Sequence, residues 1–428
     1  MFDYNKKEAF NNLVKNRRDF HKYPEEGWTE FRSTLKIIED LEKYKIDYEF
    51  GKEIHNKDYM LGMPEKSIIN KRYEEVLQST SKKDILERMK GGYTGCIARI
   101  KGELPGEIIG FRFDIDCNNV SESNNIEHTP YKQGFSSQYD NLMHACGHDG
   151  HASIGLELAK ILSENKDKLK GEVVIIFQPA EEGGRGANSI VKANKLEGID
   201  KFIGIHLGLN AKKLGTVVTG CNNFLSSDKY DVYFKGKSAH AGASPELGNN
   251  ALAAAATATI NLLSIPRHSG GVSRVNVGIL NSGTGRNVIP EEAYLAIETR
   301  GQTQKINEYM VENALNICRM SANMYKCESK IELVGNTIGT VCDEEIKKYI
   351  SLAAENVEDI TEIIDEVDFG AGEDVTYMMN YVKEKGGKAS LVLIGAGLKA
   401  PHHNGKFDFD EKALLIGLEL LLNFIQII

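Results

Sequence analysis

No uninterrupted apolar run in this 428-residue chain reaches the ~18 residues that a membrane-crossing helix needs. The opening MFDYNKKEAF also lacks the apolar core of a signal peptide, so the expectation is a soluble, cytoplasmic protein. Positive charge is not in excess: 52 Lys and Arg face 61 Asp and Glu, for a formal net charge of -9. That balance argues against a nucleic-acid or anionic-membrane footprint, which needs clustered basic residues, and leaves room for a local basic pocket. Seven scattered cysteines, an odd number, do not look like a disulfide framework, and no paired Cys-x-x-Cys marks a zinc finger. Internal repeats and low-complexity tracts are missing as well.

The chain is longer than one hydrophobic core usually holds, so two domains are expected. Amphipathic stretches over 5–18 and 29–44 predict helices, separated by a Pro24 and Gly27 loop. Residues 51–92 are polar and charged, with helix predicted over 70–90, and read as an excursion away from the core. Apolar, β-branched runs at 96–100, 108–115, 173–177, 202–205, 217–218 and 391–394 then alternate with helical patterns, 152–162 being the clearest. This alternation predicts an α/β fold, a largely parallel sheet covered on both faces. A second pattern fills 228–335: strand, alanine-rich helix, two strands, long helix, strand. That βαββαβ order is a ferredoxin-like α+β sandwich. Residues 1–226 and 336–428 are thus expected to form the larger domain, with 227–335 inserted into it as a smaller one.

Four segments carry chemistry. The densest is His144-Ala145-Cys146-Gly147-His148-Asp149-Gly150-His151, where Cys146 and His148 are soft and borderline metal ligands on a turn before a helix. A redox cysteine, or histidines satisfied by hydrogen bonds, is the alternative. The second is Gln178-Pro179-Ala180-Glu181-Glu182-Gly183-Gly184, two acids directly after an apolar strand, where α/β sheets place their sites. One acid there can bind metal while the other works as a base with a tunable pKa. His206, in Gly204-Ile205-His206-Leu207-Gly208, ends another strand and alone is weak; Pro401-His402-His403-Asn404 is a histidine pair on a loop. Together they offer Cys146, His148, Glu182, His206 and His403. Five ligands exceed one tetrahedral zinc site, so two ions sharing a bridge are expected, with the Cys146 thiolate as that bridge. Paired ions lower the pKa of a shared water and polarise a carbonyl while Glu181 takes the proton. Nucleophilic attack by Cys146 is the rival, disfavoured because a metal-bound sulfur cannot also attack carbon.

These residues, with Arg18-Asp19-Phe20-His21, Gly91-Gly92-Tyr93-Thr94-Gly95, Ser273-Arg274-Val275-Asn276-Val277-Gly278 and Gly285-Arg286-Asn287-Val288, resemble the aminoacylase/carboxypeptidase family of dinuclear metallopeptidases. The similarity is to its amidohydrolase branch, where cysteine replaces the bridging aspartate, and runs from about Arg18 to Glu411. The resemblance implies a zinc-peptidase-like catalytic domain and two divalent ions, manganese or zinc, held by Cys146, His148, Glu182, His206 and His403. It makes Glu181 the general base and gives Asp116, with Asp114 as a second candidate, the task of orienting a ligand from behind. It prefers His403 to His402 because relatives place the ligand immediately before Ser or Asn. Gly236-Lys237-Ser238-Ala239-His240-Ala241-Gly242 resembles the motif whose histidine stabilises the oxyanion, often across a dimer. Asn287 and Arg300 become candidates for holding the substrate carboxylate, and Gly372-Glu373-Asp374 resembles a motif near the site, although its acids equally suit a helix cap. Cys117 departs from the pattern and is an adventitious ligand or oxidation site. The implied activity is hydrolysis of a small N-acyl amino acid, first of all the folate breakdown product p-aminobenzoyl-glutamate, by a homodimer or a hetero-oligomer with a homologous B subunit. A stand-alone deacylase of other acyl specificity and a scaffold subunit without activity are the alternatives.

Overall fold

The computed structural model describes residues 2–428, which divide into two compact units. The larger comprises Met1–Asn222, Thr340–Phe369 and Asp374–Ile428; the smaller comprises Asn223–Gly339 and Gly370–Glu373.

In the larger unit lie β1 (Asp47–Phe50), β2 (Cys96–Lys101), β3 (Leu104–Asp114), β4 (Lys170–Gln178), β5 (Lys201–Leu207), β6 (Thr216–Asn222), β11 (Glu362–Asp368) and β12 (Lys388–Ile394). They form one eight-stranded sheet in the order β1-β2-β4-β3-β5-β12-β6-β11. The middle run β4-β3-β5-β12 is parallel, as is β6 with β11. The expected parallel sheet is therefore mixed at its flanks: β1 with β2, β2 with β4 and β12 with β6 pair antiparallel. The link 208–215 between β5 and β6 is too short for a crossover helix, so β6 runs back against the parallel block.

The helix His148–Glu164 is buried along almost its whole length, against the sheet on one side and the helices Lys6–Lys22 and Lys412–Ile427 on the other. Gly155 permits the close approach, since a Cβ there would meet Phe113 and Phe177 at 2.8 Å. Along β5, Ile203 and Ile205 face this layer, while Gly204 between them admits Val375 of the helix Val375–Glu384 on the opposite face.

The excursion over 51–92 differs from expectation. It folds as two short 3-10 turns and the helices Lys66–Ser79 and Lys83–Arg88, the break occurring where Thr80 Oγ1 accepts the Lys82 amide. Ile69, Tyr73, Val76, Ile85, Leu86 and Met89 are buried in the main core, so the segment is part of the core layer.

The smaller unit contains β7 (Ser226–Lys235), β8 (Ser273–Ser282), β9 (Glu292–Gly301) and β10 (Glu328–Thr337), all antiparallel in the order β10-β7-β9-β8. Helices Ala251–Leu263, capped by Asn250, and Gln304–Met324, capped by Thr303, cover one face over Val232, Phe234, Leu295 and Ile297. Its boundaries reach a few residues beyond the 227–335 read from sequence, because β7 and β10 run long and Leu225 N–H bonds the Ala371 carbonyl.

Candidate metal centre

Strands β4, β3, β5 and β12 are neighbours pointing the same way, so their C-terminal ends share one edge, where open α/β sheets place ligands. Asp114 and Asp116 leave β3, Glu181 and Glu182 follow β4, His206 ends β5, and His402 and His403 lie on the loop after β12. Cys146 and His148 come from the turn before the helix His148–Glu164, which Gly147 opens at φ +93°.

The five expected ligands converge. Cys146 Sγ lies 3.5 Å from His206 Nε2. Cys146, His148 and His206 form one group of donor atoms within 4.8 Å of one another, and Cys146, Glu182 and His403 form a second. Cys146 is common to both, which is the arrangement a shared bridge requires. His402 is not in either group: its Nε2 donates to the Leu207 carbonyl at 3.1 Å, and its ring packs on Phe407. Cys117 is buried and in neither group, and burial pushes its thiol well up, away from the reactive thiolate.

The donor orientations suit a cation. His148 Nδ1 donates to the Asp116 carbonyl at 2.9 Å and His206 Nδ1 to the Leu207 carbonyl at 2.9 Å, which turns both Nε2 atoms inward. His148 Nε2 and Glu182 Oε1 are buried without a hydrogen-bond partner among the described residues, an expensive state that a metal ion relieves. Burial keeps His206 well below its ordinary value, with the neighbouring His151 and His402 adding to the effect, so it offers a lone pair. Burial would raise the Glu182 carboxyl, but the adjacent imidazoles of His403 and His148 outweigh it and hold it at about 2. His148 moves oppositely: burial lowers it, yet Asp114 and Asp116 carry it up to about 10, a measure of how strongly this nest favours positive charge. Sulfur, nitrogen and oxygen donors together suit zinc and manganese alike.

Glu181 stands beside this set, its carboxylate grouped with His148 and Glu182. Asp116 clamps the pair from behind: Oδ1 accepts the Glu181 amide and Oδ2 the Glu182 amide, both at 3.0 Å. Asp114 accepts from His151 Nδ1, and His151 Nε2 accepts the Leu207 amide at 2.9 Å, which pins that imidazole's tautomer.

Two buried ionic networks behind the site escaped the sequence reading. Arg112 Nη1 holds Asp114 at 2.6 Å, Nε holds Gln178 at 2.8 Å, and Nη2 holds Asp374 at 3.0 Å. Asp374 also accepts the Gly186 and Ala187 amides, so it ties the glutamate loop to β3 instead of bonding the first amides of its own helix. The signal was a charged residue inside the apolar run of β3. The second network alternates in sign: Arg17, Asp149, His21 and Glu122, with Arg17 Nε to Asp149 at 3.1 Å, Asp149 to His21 Nδ1 at 2.8 Å and His21 Nε2 to Glu122 at 3.0 Å. Burial opposes the charge on His21, but Asp149 and Glu122 raise it to about 9; burial likewise opposes the charge on Glu122, but His128 and His21 hold it at about 2.

The sign of the resulting pH dependence follows from these directions. His21 contributes stability fully below its ordinary 6.5 and loses it as pH rises through about 9. Glu122 contributes fully above 4.5 and loses it as pH falls through about 2. In urea titrations, the stability gap between wild type and His21→Gln is therefore expected to be widest at pH 4.5–6.5 and to shrink on either side. A gap independent of pH would show that His21 does not carry charge.

In the smaller unit, His240 is exposed, and its Nδ1 accepts the Gly242 and Ala243 amides at 3.2 and 3.0 Å. The ring proton is thereby left on Nε2, which is free to act as a donor. Asn287 lies beside it, its carbonyl accepting the Ala241 amide at 3.0 Å. Arg300 does not join them. It sits at the far end of β9, and the extended stretch from Glu292 to Arg300 spans on the order of 25 Å, so Asn287 and Arg300 of one chain cannot hold one carboxylate. Across the sheet Arg300 pairs with Ser227 on β7 and with Arg274 on β8, a residue of the Ser273–Gly278 motif without a site role in the sequence reading. Like charges directly opposite are destabilising unless an anion sits with them.

Convergent sulfur, imidazole and carboxylate donors with an acid beside them, on this sheet edge, define the chain as a metal-dependent amide hydrolase. It belongs to the peptidase family M20/M25/M40, which matches residues 110–427. It is 41% identical to the A subunit of p-aminobenzoyl-glutamate hydrolase from Escherichia coli (strain K12) over 413 residues, 95% of this chain and 94% of that one. It is 40% identical to indole-3-acetyl-aspartic acid hydrolase of Enterobacter agglomerans over 413 residues, again 95% and 94%. Its fold superposes on the crystal structure of the aminobenzoyl-glutamate utilization protein from Klebsiella pneumoniae with a TM-score of 0.83 and 32% identity, covering 98% and 96% of the two chains.

Proposed function

We propose that this chain hydrolyses the amide between an aromatic acyl group and an acidic amino acid, p-aminobenzoyl-glutamate above all. The convergence of Cys146, His148, Glu182, His206 and His403 on two donor groups that share one sulfur carries the reading. The relatives add the substrate class, since p-aminobenzoyl-glutamate and indole-3-acetyl-aspartic acid both join an aromatic acid to a dicarboxylic amino acid.

In this reading those five residues would hold two divalent ions, manganese or zinc, which when bound would supply Lewis-acid activation of water and of the scissile carbonyl. Glu181, beside the donor set, is placed to accept a proton from the attacking water and to hand it to the departing amine. Asp116 keeps Glu181 and Glu182 at a fixed spacing through their amides. His240 donates from Nε2 to the oxyanion, with Asn287 beside it. Arg300, whose Nη2 is 3.1 Å from Glu298, works with Arg274 on a substrate carboxylate, because two guanidinium forks match a planar anion. The separation of Arg300 from Asn287 within one chain supports an oligomer in which a second copy, or a homologous B subunit, completes the substrate site. The smaller unit is then the dimerisation domain, and the chain works in the cytoplasm.

The test is a panel assay of the purified chain with added manganese or zinc. p-Aminobenzoyl-glutamate should be cleaved in preference to N-acetyl amino acids, and faster cleavage of the acetyl compounds would point to a general deacylase. Arg274→Ala and Arg300→Ala should each raise KM for the glutamate conjugate by about 10-fold or more, as loss of a charge-assisted bond of roughly 1.5–3 kcal/mol requires. Equal effects on a conjugate lacking the side-chain carboxylate would assign both arginines to the α-carboxylate instead.

A further inference from the structure

His403 is the least secure of the five donors. Its side chain is 57% exposed, whereas the other four are largely buried, and its backbone sits in the left-handed region at φ +60°. A non-glycine residue stays there only when its surroundings hold it. Two backbone contacts do so: the His403 amide donates to the Ala145 carbonyl at 2.8 Å, and the Gly405 carbonyl accepts the Ser123 amide at 2.7 Å. The second comes from the irregular stretch between β3 and the helix His148–Glu164. The contact is tight, since a Cβ on Gly405 would meet the Ser121 carbonyl oxygen at 2.3 Å.

What anchors that stretch is Glu122. One oxygen, Oε1, bridges His21 Nε2 at 3.0 Å and His128 Nε2 at 2.9 Å, and Oε2 accepts the Ser137 amide at 2.6 Å. The side chain is only 6% exposed. It therefore joins three parts of the 118–142 stretch to the helix Lys6–Lys22, one residue before the amide that grips the His403 loop.

We propose that Glu122 is a positioning residue for the His403 arm of the metal centre, acting through Ser123 and Gly405 and touching neither ion nor substrate. The proposal rests on the reading of His403 as a metal ligand. It implies that Glu122 governs one ion only, the one held by Cys146, Glu182 and His403, and not the one held by Cys146, His148 and His206.

The experiment is cobalt titration of wild type, Glu122→Gln and Gly405→Ala, followed by metal analysis and by the thiolate-to-cobalt absorption band of Cys146. Wild type should bind two ions. Both variants should bind one ion as wild type does, band included, and the other roughly 10–100-fold more weakly, the usual cost of losing support behind a ligand. Two ions bound with wild-type affinities in the variants, or both weakened equally, would overturn the role of Glu122 and leave the metal-centre reading standing. Fewer than two ions in wild type would overturn both. Should Glu122→Gln fail to fold, Gly405→Ala decides by the same outcomes, because it strains the loop contact without disturbing the ionic network.

Discussion

Glu181→Gln is expected to lower kcat by about 10²–10⁴, the usual contribution of general acid–base catalysis, with metal content unchanged. The substitution keeps the shape of the side chain and replaces only its proton-accepting oxygen by an amide. The clamp survives, because Asp116 accepts the backbone amide of residue 181 whatever side chain that residue carries. Glu182 keeps its own amide bond and its place among the donors. Turnover should therefore fall by that factor while bound metal, measured by inductively coupled plasma analysis, stays at the wild-type ratio. Unchanged turnover would reject Glu181 as the base. Loss of metal together with turnover would make it a ligand.

Cys146→Ala is expected to cause a larger metal defect than any other single substitution at the site. Each donor group has three members and Cys146 belongs to both, so its removal leaves His148 with His206 on one side and Glu182 with His403 on the other. Two neutral imidazoles, or one carboxylate and one imidazole, hold a divalent ion poorly. Turnover and at least one ion should be lost, and the thiolate-to-cobalt band should disappear. Cys146→Asp restores an anionic donor at the same place and should recover metal in part without the band. An alanine variant that keeps both ions but is inactive would favour a nucleophilic cysteine instead.

Much of this centre was readable along the chain. Acids after one apolar strand, a histidine ending another and a Cys-Gly-His turn before a helix are local patterns, and all five expected donors meet in the structure. The βαββαβ order of the smaller unit was equally readable, because its strands alternate apolar and polar residues with turn residues between. Other features were hidden. The excursion over 51–92 reads as polar because its buried residues, such as Ile69, Tyr73 and Leu86, are spread thinly among charged ones. Asn287 and Arg300 both suit a carboxylate by residue type, yet one chain keeps Asn287 before the start of β9 and Arg300 near its far end, opposite Arg274. Arg112, Arg17 and His21 gave only a faint signal, since a charged residue in an apolar stretch has no meaning until its counter-charge is located.

The kinds of atom on offer, and the strand ends that present them, are set along the chain, because ligand chemistry and strand termination are properties of a few adjacent residues. Which of those atoms share a centre is set only by folding. Strand order β4-β3-β5-β12 is not chain order, and only the folded chain brings His403, while His402 bonds the Leu207 carbonyl, into a donor group, makes Cys146 common to two such groups and sets the Ser123 amide against the loop that carries His403.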